Sequence, residues 1–244
     1  MRERGERFRS KRDNAAFCRE HPDFSPPPLA LMYDVQGEVS FRHYWDWGIE
    51  AASLLDELIR KYQPGAKRVL EWGCGPARVI RHMPGLLPGG TECFGTDYNR
   101  DAISWCQLAI KDVMFVENEL SPPLPFAGEY FDVIYALSVL THLSLKEQRA
   151  WVVELCRVLR PSGCLILTTH GIQSASVLLP SEYARFENEG AIVRSGAEEG
   201  KRCFATFNHP DHARNHLFAG LHICEHRPES ANRHQQDFWI LRKS

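Results

Sequence analysis

Two carboxylates and a glycine-rich turn have the types and spacing needed to hold a ligand. Glu71 ends a short apolar run, and the turn Gly73-Cys74-Gly75 follows it. Asp97 ends the next apolar run along the chain. Glycines permit positive φ and let a ligand approach bare backbone, and a carboxylate at the end of a second strand can accept both hydroxyls of a ribose. These residues predict a site for a nucleoside-containing cofactor.

The same turn is poorly suited to a pyrophosphate. A dinucleotide site has a third glycine for contact between helix and strand, and free backbone N–H groups for the phosphates. Here Arg78 occupies the third position, and Pro76 removes one N–H. Glu71 would in addition repel a pyrophosphate. A cofactor that is cationic and free of phosphate fits better, and S-adenosyl-L-methionine has both properties. It is therefore the predicted cofactor.

The turn lies in an alternation of short apolar runs and helical patterns. Strands that are apolar throughout and alternate with helices indicate a parallel sheet covered on both faces. The predicted helices lie at 38–62, 76–83, 101–110, 146–159 and 210–219. The predicted strands lie at 68–72, 92–97, 113–116, 131–136, 164–169, 221–226 and 237–242.

The remaining segments predict the domain organisation. Residues 1–37 are charged and then proline-rich, which favours a flexible N-terminal arm. Residues 38–244 form one domain, in which 38–63 is an N-terminal helical cover. Residues 171–208 are polar and contain three glycines after Gly171, so we expect an insertion that caps the acceptor site.

The composition excludes a disordered chain, a fibre and a coiled coil. Hydrophobic residues make up 43% and charged residues 25% of the 244 residues, as in globular proteins, and the formal net charge is −2. A nearly neutral chain has no global field to attract nucleic acid or an anionic membrane. None of the eight cysteines forms a C-x-x-C pair, and the histidines at 209–226 lack a carboxylate that completes a metal site. We therefore expect a cytoplasmic protein without metal, nucleic-acid or membrane partners; its oligomeric state stays open.

From about residue 40 onward the sequence resembles the class I S-adenosylmethionine-dependent methyltransferases. The segment VLEWGCGPAR is similar to the first motif of that family, with Ala77 in place of its last glycine. FGTDY at 94–98 resembles the second motif, FDVI at 131–134 the fourth strand, and RVLRPSG at 157–163 the turn before the fifth. SVLTHL at 138–143 and QDFW at 236–239 resemble a bacterial subgroup linked to glycan or secondary-metabolite pathways.

The resemblance implies a Rossmann-like, doubly wound α/β fold with a seven-stranded sheet, mostly parallel with an antiparallel last strand, and helices on both faces. It implies that Gly73 and the nearby backbone hold the methionine amino group, while Glu71 fixes the loop and favours that ammonium. Arg78 would reach the carboxylate, and Tyr98 would pack on the adenine. Residues after the third strand would recognise the adenine edge and residues after the fourth would line the methionine side: Asn118, Glu119, Leu120, Ala136, Leu137 and Ser138.

Methyl transfer needs an aligned acceptor and, for a hydroxyl, a base. His142, just past the fourth strand, is the first candidate, because an imidazole accepts protons near neutrality. His170, which ends the fifth strand, is the second; a structural role is the alternative for both. Tyr44 and Trp45 either close over the cofactor or pack in the core.

The predicted function is methylation of a small molecule or sugar, at oxygen. The segment after the fourth strand reads ALSV and lacks the Asn/Asp-Pro-Pro-aromatic motif typical of base amino methylation. Two alternatives stay open. One is a non-catalytic S-adenosylmethionine-binding protein, and the other is a nicotinamide-dependent oxidoreductase on the same fold.

Overall fold

The computed structural model describes residues 2–194, 196–229 and 235–243, with side chains described from residue 11 onward. The helices are α1 (Arg2–Glu20), α2 (Leu29–Gln36), α3 (Phe41–Tyr62), α4 (Met83–Leu86), α5 (Arg100–Ala109), α6 (Leu145–Val158), α7 (Pro180–Glu189) and α8 (Pro210–His212). The strands are β1 (Arg68–Trp72), β2 (Glu92–Asp97), β3 (Met114–Glu117), β4 (Phe131–Ala136), β5 (Leu159–Thr169), β6 (Ala191–Arg194), β7 (Ala205–Asn208), β8 (His222–Arg227) and β9 (Asp237–Arg242).

Seven of these strands form the main sheet, in the order β3-β2-β1-β4-β5-β9-β8. The first five strands of the chain run parallel, and β9 lies antiparallel between β5 and β8. This confirms the predicted fold class. The strand order reverses between β1 and β4, and ligands bind at the carboxyl ends of the strands beside such a reversal. None of the helices in the described part of the chain has the length and apolar character needed to cross a bilayer.

Strand β4 shows why the sheet is covered on both faces. All six of its residues are buried. Val133 and Tyr135 pack in the core cluster that includes α3 and α5, whereas Ile134 and Ala136 pack in the cluster that includes α6. Side chains alternate between the two faces of a strand, so a continuous apolar run fills two cores at once.

The N-terminal segment differs from the expected flexible arm. Helices α1 and α2 pack on α3 through four buried side chains, Phe17, Phe24, Met32 and Tyr44. The Phe24 ring is 5.4 Å from that of Phe17 and 5.3 Å from that of Trp45. The prediction is therefore wrong for residues 11–37, and residue 1 lies outside the described residues. The side chains of this cluster are widely spaced in the sequence, so their spacing does not indicate that they pack together.

The segment at 171–208 has a small core of its own. Helix α7, the 3₁₀ turn that precedes it at Ser174–Val177 and the antiparallel pair β6–β7 share a cluster of buried side chains: Ala175, Leu178, Phe186, Ile192 and Phe207. The backbone N–H of Asn208 donates to the His170 carbonyl oxygen at 2.8 Å, which joins β7 to the end of β5. The insertion is thus fixed to the carboxyl edge of the main sheet.

Candidate functional site

A cavity of about 740 Å³ opens at the carboxyl ends of the central strands. It brings together twelve of the fifteen residues that the sequence predicts for the site. These twelve are Gly73, Gly75, Arg78, Asp97, Tyr98, Asn118, Glu119, Leu120, Leu137, Ser138, His142 and His170. Glu71, Cys74 and Ala136 do not line it; they are buried in the protein interior.

The glycine turn after β1 lies tightly against its neighbours. Gly73 has φ 74° and Gly75 has φ 51°. The N–H groups of Gly73 and Cys74 both donate to the Thr96 carbonyl oxygen, at 2.7 and 2.9 Å. A Cβ atom on Gly73 would overlap the Val139 side chain. The turn therefore requires glycine at position 73, for its backbone angle and for the close approach.

The predicted helix at 76–83 does not form as one element. Ala77 adopts φ 61°, which turns the chain away from a helical path. A 3₁₀ turn at Ile80–His82 follows, and then the short α4. The Tyr44 hydroxyl donates to the Pro76 carbonyl oxygen at 2.7 Å and holds this irregular segment against α3.

Glu71 fixes the turn from below. Its Oε2 accepts the Ile80 N–H at 2.8 Å and the Tyr135 hydroxyl at 3.3 Å. Burial raises the pKa of the Glu71 carboxyl to about 8, because the charged form loses its hydration, and the nearby Asp97 adds to the rise. Cys74 packs in the adjoining core, and Ala136 packs in the core on the opposite face of the sheet. Neither side chain lines the cavity; the contact predicted for Cys74 concerns the backbone of the turn and stays a prediction, whereas the predicted lining role of the Ala136 side chain is corrected.

Asp97 joins the end of β2 to the glycine turn. Its Oδ2 accepts the Gly75 N–H at 2.8 Å, and its Oδ1 accepts the Asn99 N–H at 2.7 Å. Burial raises the pKa of the Asp97 carboxyl, while these N–H donors and the charge of Lys201 oppose the rise. Each oxygen keeps a lone pair, so the carboxylate is oriented and can still accept from a ligand.

The expected adenine side of the cavity holds Tyr98 and Asn118. The Tyr98 hydroxyl donates to the Gly200 carbonyl oxygen at 2.9 Å, which fixes its ring beside the cavity. The Asn118 Nδ2 donates to the Glu119 carbonyl oxygen at 2.6 Å, while its Oδ1 is buried without a partner. Glu119 itself is exposed. The free acceptor on Asn118 fits a ligand that donates, as an adenine amino group does.

Arg78 provides a second unsatisfied group. Its guanidinium lies 3.6 Å from the centre of the Trp47 ring, and its Nε is buried without a hydrogen-bond partner. Burial lowers the pKa of Arg78 to about 10. No carboxylate in the described ranges forms an ion pair with it. Its guanidinium can therefore bind the carboxylate of a bound amino-acid moiety by donating N–H groups to it.

Two histidines lie in the wall near the end of β5. The Nδ1 of His142 is 2.8 Å from the Phe204 carbonyl oxygen, so Nδ1 donates and Nε2 keeps a lone pair. Burial lowers the pKa of His142, and the Arg202 charge contributes. Burial lowers the pKa of His170 to about 4, and its Nδ1 is buried without a partner. Both rings are thus neutral near pH 7.

The sequence analysis misses part of the wall. Helix α2 contributes Leu31, Asp34 and Val35, the insertion contributes residues 200–203, and Gln236 precedes β9. The four-residue spacing of Leu31 and Val35, directly after the proline run, is the helical signal that could have located α2. Tyr44 and Trp45 do not line the cavity; they pack in the aromatic cluster of the N-terminal helices.

The histidine-rich segment at 209–226 does not form a metal centre with its described neighbours. No group of three or more His, Cys, Asp or Glu side chains in the described ranges lies close enough to hold an ion. His226 instead stacks on Trp239, with ring centroids 3.9 Å apart.

The family comparison agrees with the geometry of the turn and the sheet. Residues 70–167 match the family model described as a methyltransferase domain. Over these residues the chain is similar to a methyltransferase domain. The domain begins in β1 and ends in β5, so it includes the glycine turn, Asp97 and His142. The prediction of an S-adenosylmethionine-dependent methyltransferase domain, with S-adenosylmethionine as its cofactor, is confirmed.

Two curated relatives resemble the methyltransferase domain and its surroundings. An uncharacterized methyltransferase of Schizosaccharomyces pombe is 29% identical over 171 residues, covering 65% of this chain and 59% of the relative. A probable tRNA methyltransferase 9B of Mus musculus is 24% identical over 152 residues, covering 62% and 30% respectively. The chain thus spans less than two thirds of the length of either relative.

Solved structures share the fold of the methyltransferase domain. An S-adenosylmethionine-dependent methyltransferase of Methanosarcina mazei matches with a TM-score of 0.57 at 20% identity, over 76% of this chain and 96% of that one. The S-adenosylmethionine-bound amino pentose methyltransferase CalS10 of Micromonospora echinaspora matches with a TM-score of 0.57 at 16% identity, over 82% and 92%. At these identities the likeness is one of fold.

Proposed function

We propose that this protein transfers the methyl group of S-adenosylmethionine to a hydroxyl of a small molecule or sugar. The observation that carries the proposal is His142, a half-buried neutral imidazole that lines the same cavity as Asp97 and Arg78. A neutral imidazole with one ring nitrogen already donating is suited to accept a proton on the other.

The cofactor fits the groups that this cavity leaves unsatisfied. The Asp97 carboxylate would accept the ribose hydroxyls, and the buried Arg78 guanidinium would bind the methionine carboxylate. The Asn118 Oδ1 would accept the adenine amino group. The Gly73 carbonyl and the Glu71 carboxyl beneath it would favour the ammonium group. When bound, S-adenosylmethionine supplies a methyl group activated by the sulfonium.

The protein itself must align the acceptor and remove the proton of its hydroxyl. The Phe204 carbonyl oxygen holds the His142 ring through Nδ1, so that Nε2 is the proton acceptor for the acceptor hydroxyl. His142 Nε2 would take up the proton of the acceptor hydroxyl as the methyl group passes from the sulfonium sulfur to the hydroxyl oxygen, with the carbon–sulfur bond breaking as the carbon–oxygen bond forms. Helix α2 and residues 200–203 line the cavity and would help to exclude water from the aligned acceptor. The insertion at 171–208 would thereby act as the acceptor cap.

A labelled-methyl assay tests the proposal. The protein is incubated with methyl-labelled S-adenosylmethionine and a panel of sugars, phenols, amines and a tRNA preparation. We expect label in a hydroxyl-bearing small molecule. Label only in tRNA or in an amine would contradict the proposed acceptor. Tight binding of NAD without S-adenosylmethionine binding in calorimetry would favour the oxidoreductase, and cofactor binding without turnover would favour the binding protein.

The His142→Gln variant tests the proton acceptor. We expect turnover to fall about 10²–10⁴-fold while cofactor affinity stays within about twofold, since the residue acts on the acceptor. Because the pKa of His142 lies below its usual range, the wild-type rate should rise as the pH increases through a value below 6.5 and then level off. His222→Gln, at an exposed position on β8, is the matched control. Turnover of His142→Gln equal to that of His222→Gln would remove His142 from this role.

A further inference from the structure

Arg202 is a charged side chain of the cavity wall that lies close enough to His142 to affect its pKa. Its charge contributes, after burial, to the lowered pKa of His142. Arg202 also lines the same cavity. Arg202 therefore places a positive charge in the cavity wall near His142, on a side chain that solvent also reaches.

The positive charge of Arg202 is not neutralised by the protein. Within the described ranges, no carboxylate forms an ion pair or a hydrogen bond with its guanidinium. Asp34 and Glu119 are the other carboxylates of the cavity wall besides Asp97, and neither is paired with Arg202. Lys201 lies toward the opposite side, where it is 5.6 Å from the Tyr98 ring and acts on Asp97.

The guanidinium is nevertheless held in a defined place. It lies 5.8 Å from the centre of the Tyr33 ring. It also packs on Gly37, the left-handed residue that ends α2, where an added Cβ atom would be 2.7 Å from Arg202 Nη1. The C-terminal end of a helix favours a nearby cation. A guanidinium that is positioned by a ring and a helix end, and still keeps free N–H donors, is ready to bind an anion.

We propose that the methyl acceptor carries a carboxylate or phosphate group near its hydroxyl, and that Arg202 binds this group. The inference rests on the proposed function and adds the chemical class of the acceptor. Guanidinium pairs with both anions through parallel N–H···O bonds, which orient as well as attract. Binding the anion at Arg202 would direct the neighbouring hydroxyl of the same molecule toward His142.

Pairs of probe molecules with similar shape and different charge test whether Arg202 recognises the anionic group. Binding of benzoate, benzamide and inorganic phosphate is measured by calorimetry or NMR on protein saturated with S-adenosylhomocysteine. The labelled-methyl assay is run with 4-hydroxybenzoate against 4-hydroxybenzamide, and with glucuronate and glucose 6-phosphate against glucose. We expect benzoate to bind at least about tenfold more tightly than benzamide, and label to favour the anionic members.

The variant Arg202→Gln should reduce benzoate affinity about 10–100-fold and remove the preference over benzamide. Arg149→Gln, at an exposed arginine on α6 outside the cavity, is the control and should retain both. Equal binding of benzoate and benzamide, an unchanged preference in Arg202→Gln, or label favouring the neutral acceptors would each overturn the inference. The inference is also overturned if Arg202→Gln only releases S-adenosylhomocysteine faster and binds the probes as before. In that case the role of Arg202 would be to hold α2 in place.

Failure of the proposed function has a different signature. If the wild-type protein does not bind S-adenosylhomocysteine in calorimetry, the cofactor site itself is wrong. If it binds S-adenosylhomocysteine and then prefers neutral probes, the methyltransferase proposal stands and the anionic acceptor is rejected. Comparison of benzoate with inorganic phosphate then identifies which of the two anions Arg202 prefers.

Discussion

Glu71 provides a test of how the cofactor site works that does not depend on the acceptor. Its carboxyl lies 4% exposed beneath the glycine turn, and burial raises its pKa to about 8. A cation bound in the turn would stabilise the ionised form and lower that pKa again. We therefore predict that S-adenosylmethionine binding releases a proton from Glu71, and that Glu71→Gln abolishes this release.

The size of the effect follows from the pKa. At pH 7 a group with a pKa of about 8 is roughly 90% protonated, and a shift to about 6 would leave roughly 10% protonated. The expected release is thus about 0.8 proton per cofactor. Between pH 6 and pH 8, cofactor affinity should rise with pH, and the increase should approach about tenfold per pH unit.

Calorimetry in buffers of different ionisation enthalpy measures the released protons directly. The binding enthalpy at pH 7, plotted against the ionisation enthalpy of the buffer, should have a slope of about −0.8 for the wild type, because the buffer takes up the released protons, and near zero for Glu71→Gln. Glu92→Gln, at an exposed carboxylate that starts β2, should keep the wild-type slope. A flat wild-type plot, or a slope that persists in Glu71→Gln, would refute the reasoning.

The same residue sets a pH dependence of stability in the absence of cofactor. Because the folded pKa of Glu71 lies above its ordinary value of 4.5, the folded state keeps the proton longer than the unfolded state. The free energy of unfolding should therefore fall as the pH rises from about 4.5 to about 8, by up to about 1.4 kcal/mol per unit from this group. Urea unfolding at several pH values should show a flatter profile for Glu71→Gln.

Three further substitutions test the geometry of the site. Asp97→Ala should weaken S-adenosylmethionine binding by about 1–3 kcal/mol in calorimetry, because oriented charged hydrogen bonds are lost; unchanged affinity would exclude Asp97. Gly73→Ala should lower the melting temperature and cofactor affinity together, since the added methyl overlaps Val139 at a positive φ. Normal values for both would contradict the strained turn. Tyr44→Phe should cost about 1–2 kcal/mol in denaturant unfolding by removing the bond to the Pro76 carbonyl oxygen, and no loss would show that this bond is not stabilising.

The sheet and the cofactor turn could be predicted because they depend on neighbours in sequence. Strand β9 has the predicted bounds, 237–242, since a buried strand is a continuous apolar run between polar segments. Asp97 lines the cavity as expected because a strand end fixes where its side chain emerges. In both cases local pattern and tertiary position agree.

The other parts of the wall depend on contacts that no local pattern encodes. Helix α2 lies over the cavity because Met32 and Phe24 pack on α3, and Arg202 reaches Gly37 across more than 160 positions of chain. The left-handed Ala77 is set by its packing within the turn, since alanine has no preference for positive φ. These features appear only when distant segments are brought together.

The position of β9 bears on how the protein is made. Among the strands of the main sheet it is the last to leave the ribosome, yet it lies between β5 and β8 and pairs with both. Until it emerges, β8 has no partner and β5 presents an open edge that other nascent chains could join. Synthesis that stalls before residue 237 would therefore leave an aggregation-prone intermediate rather than a shortened enzyme.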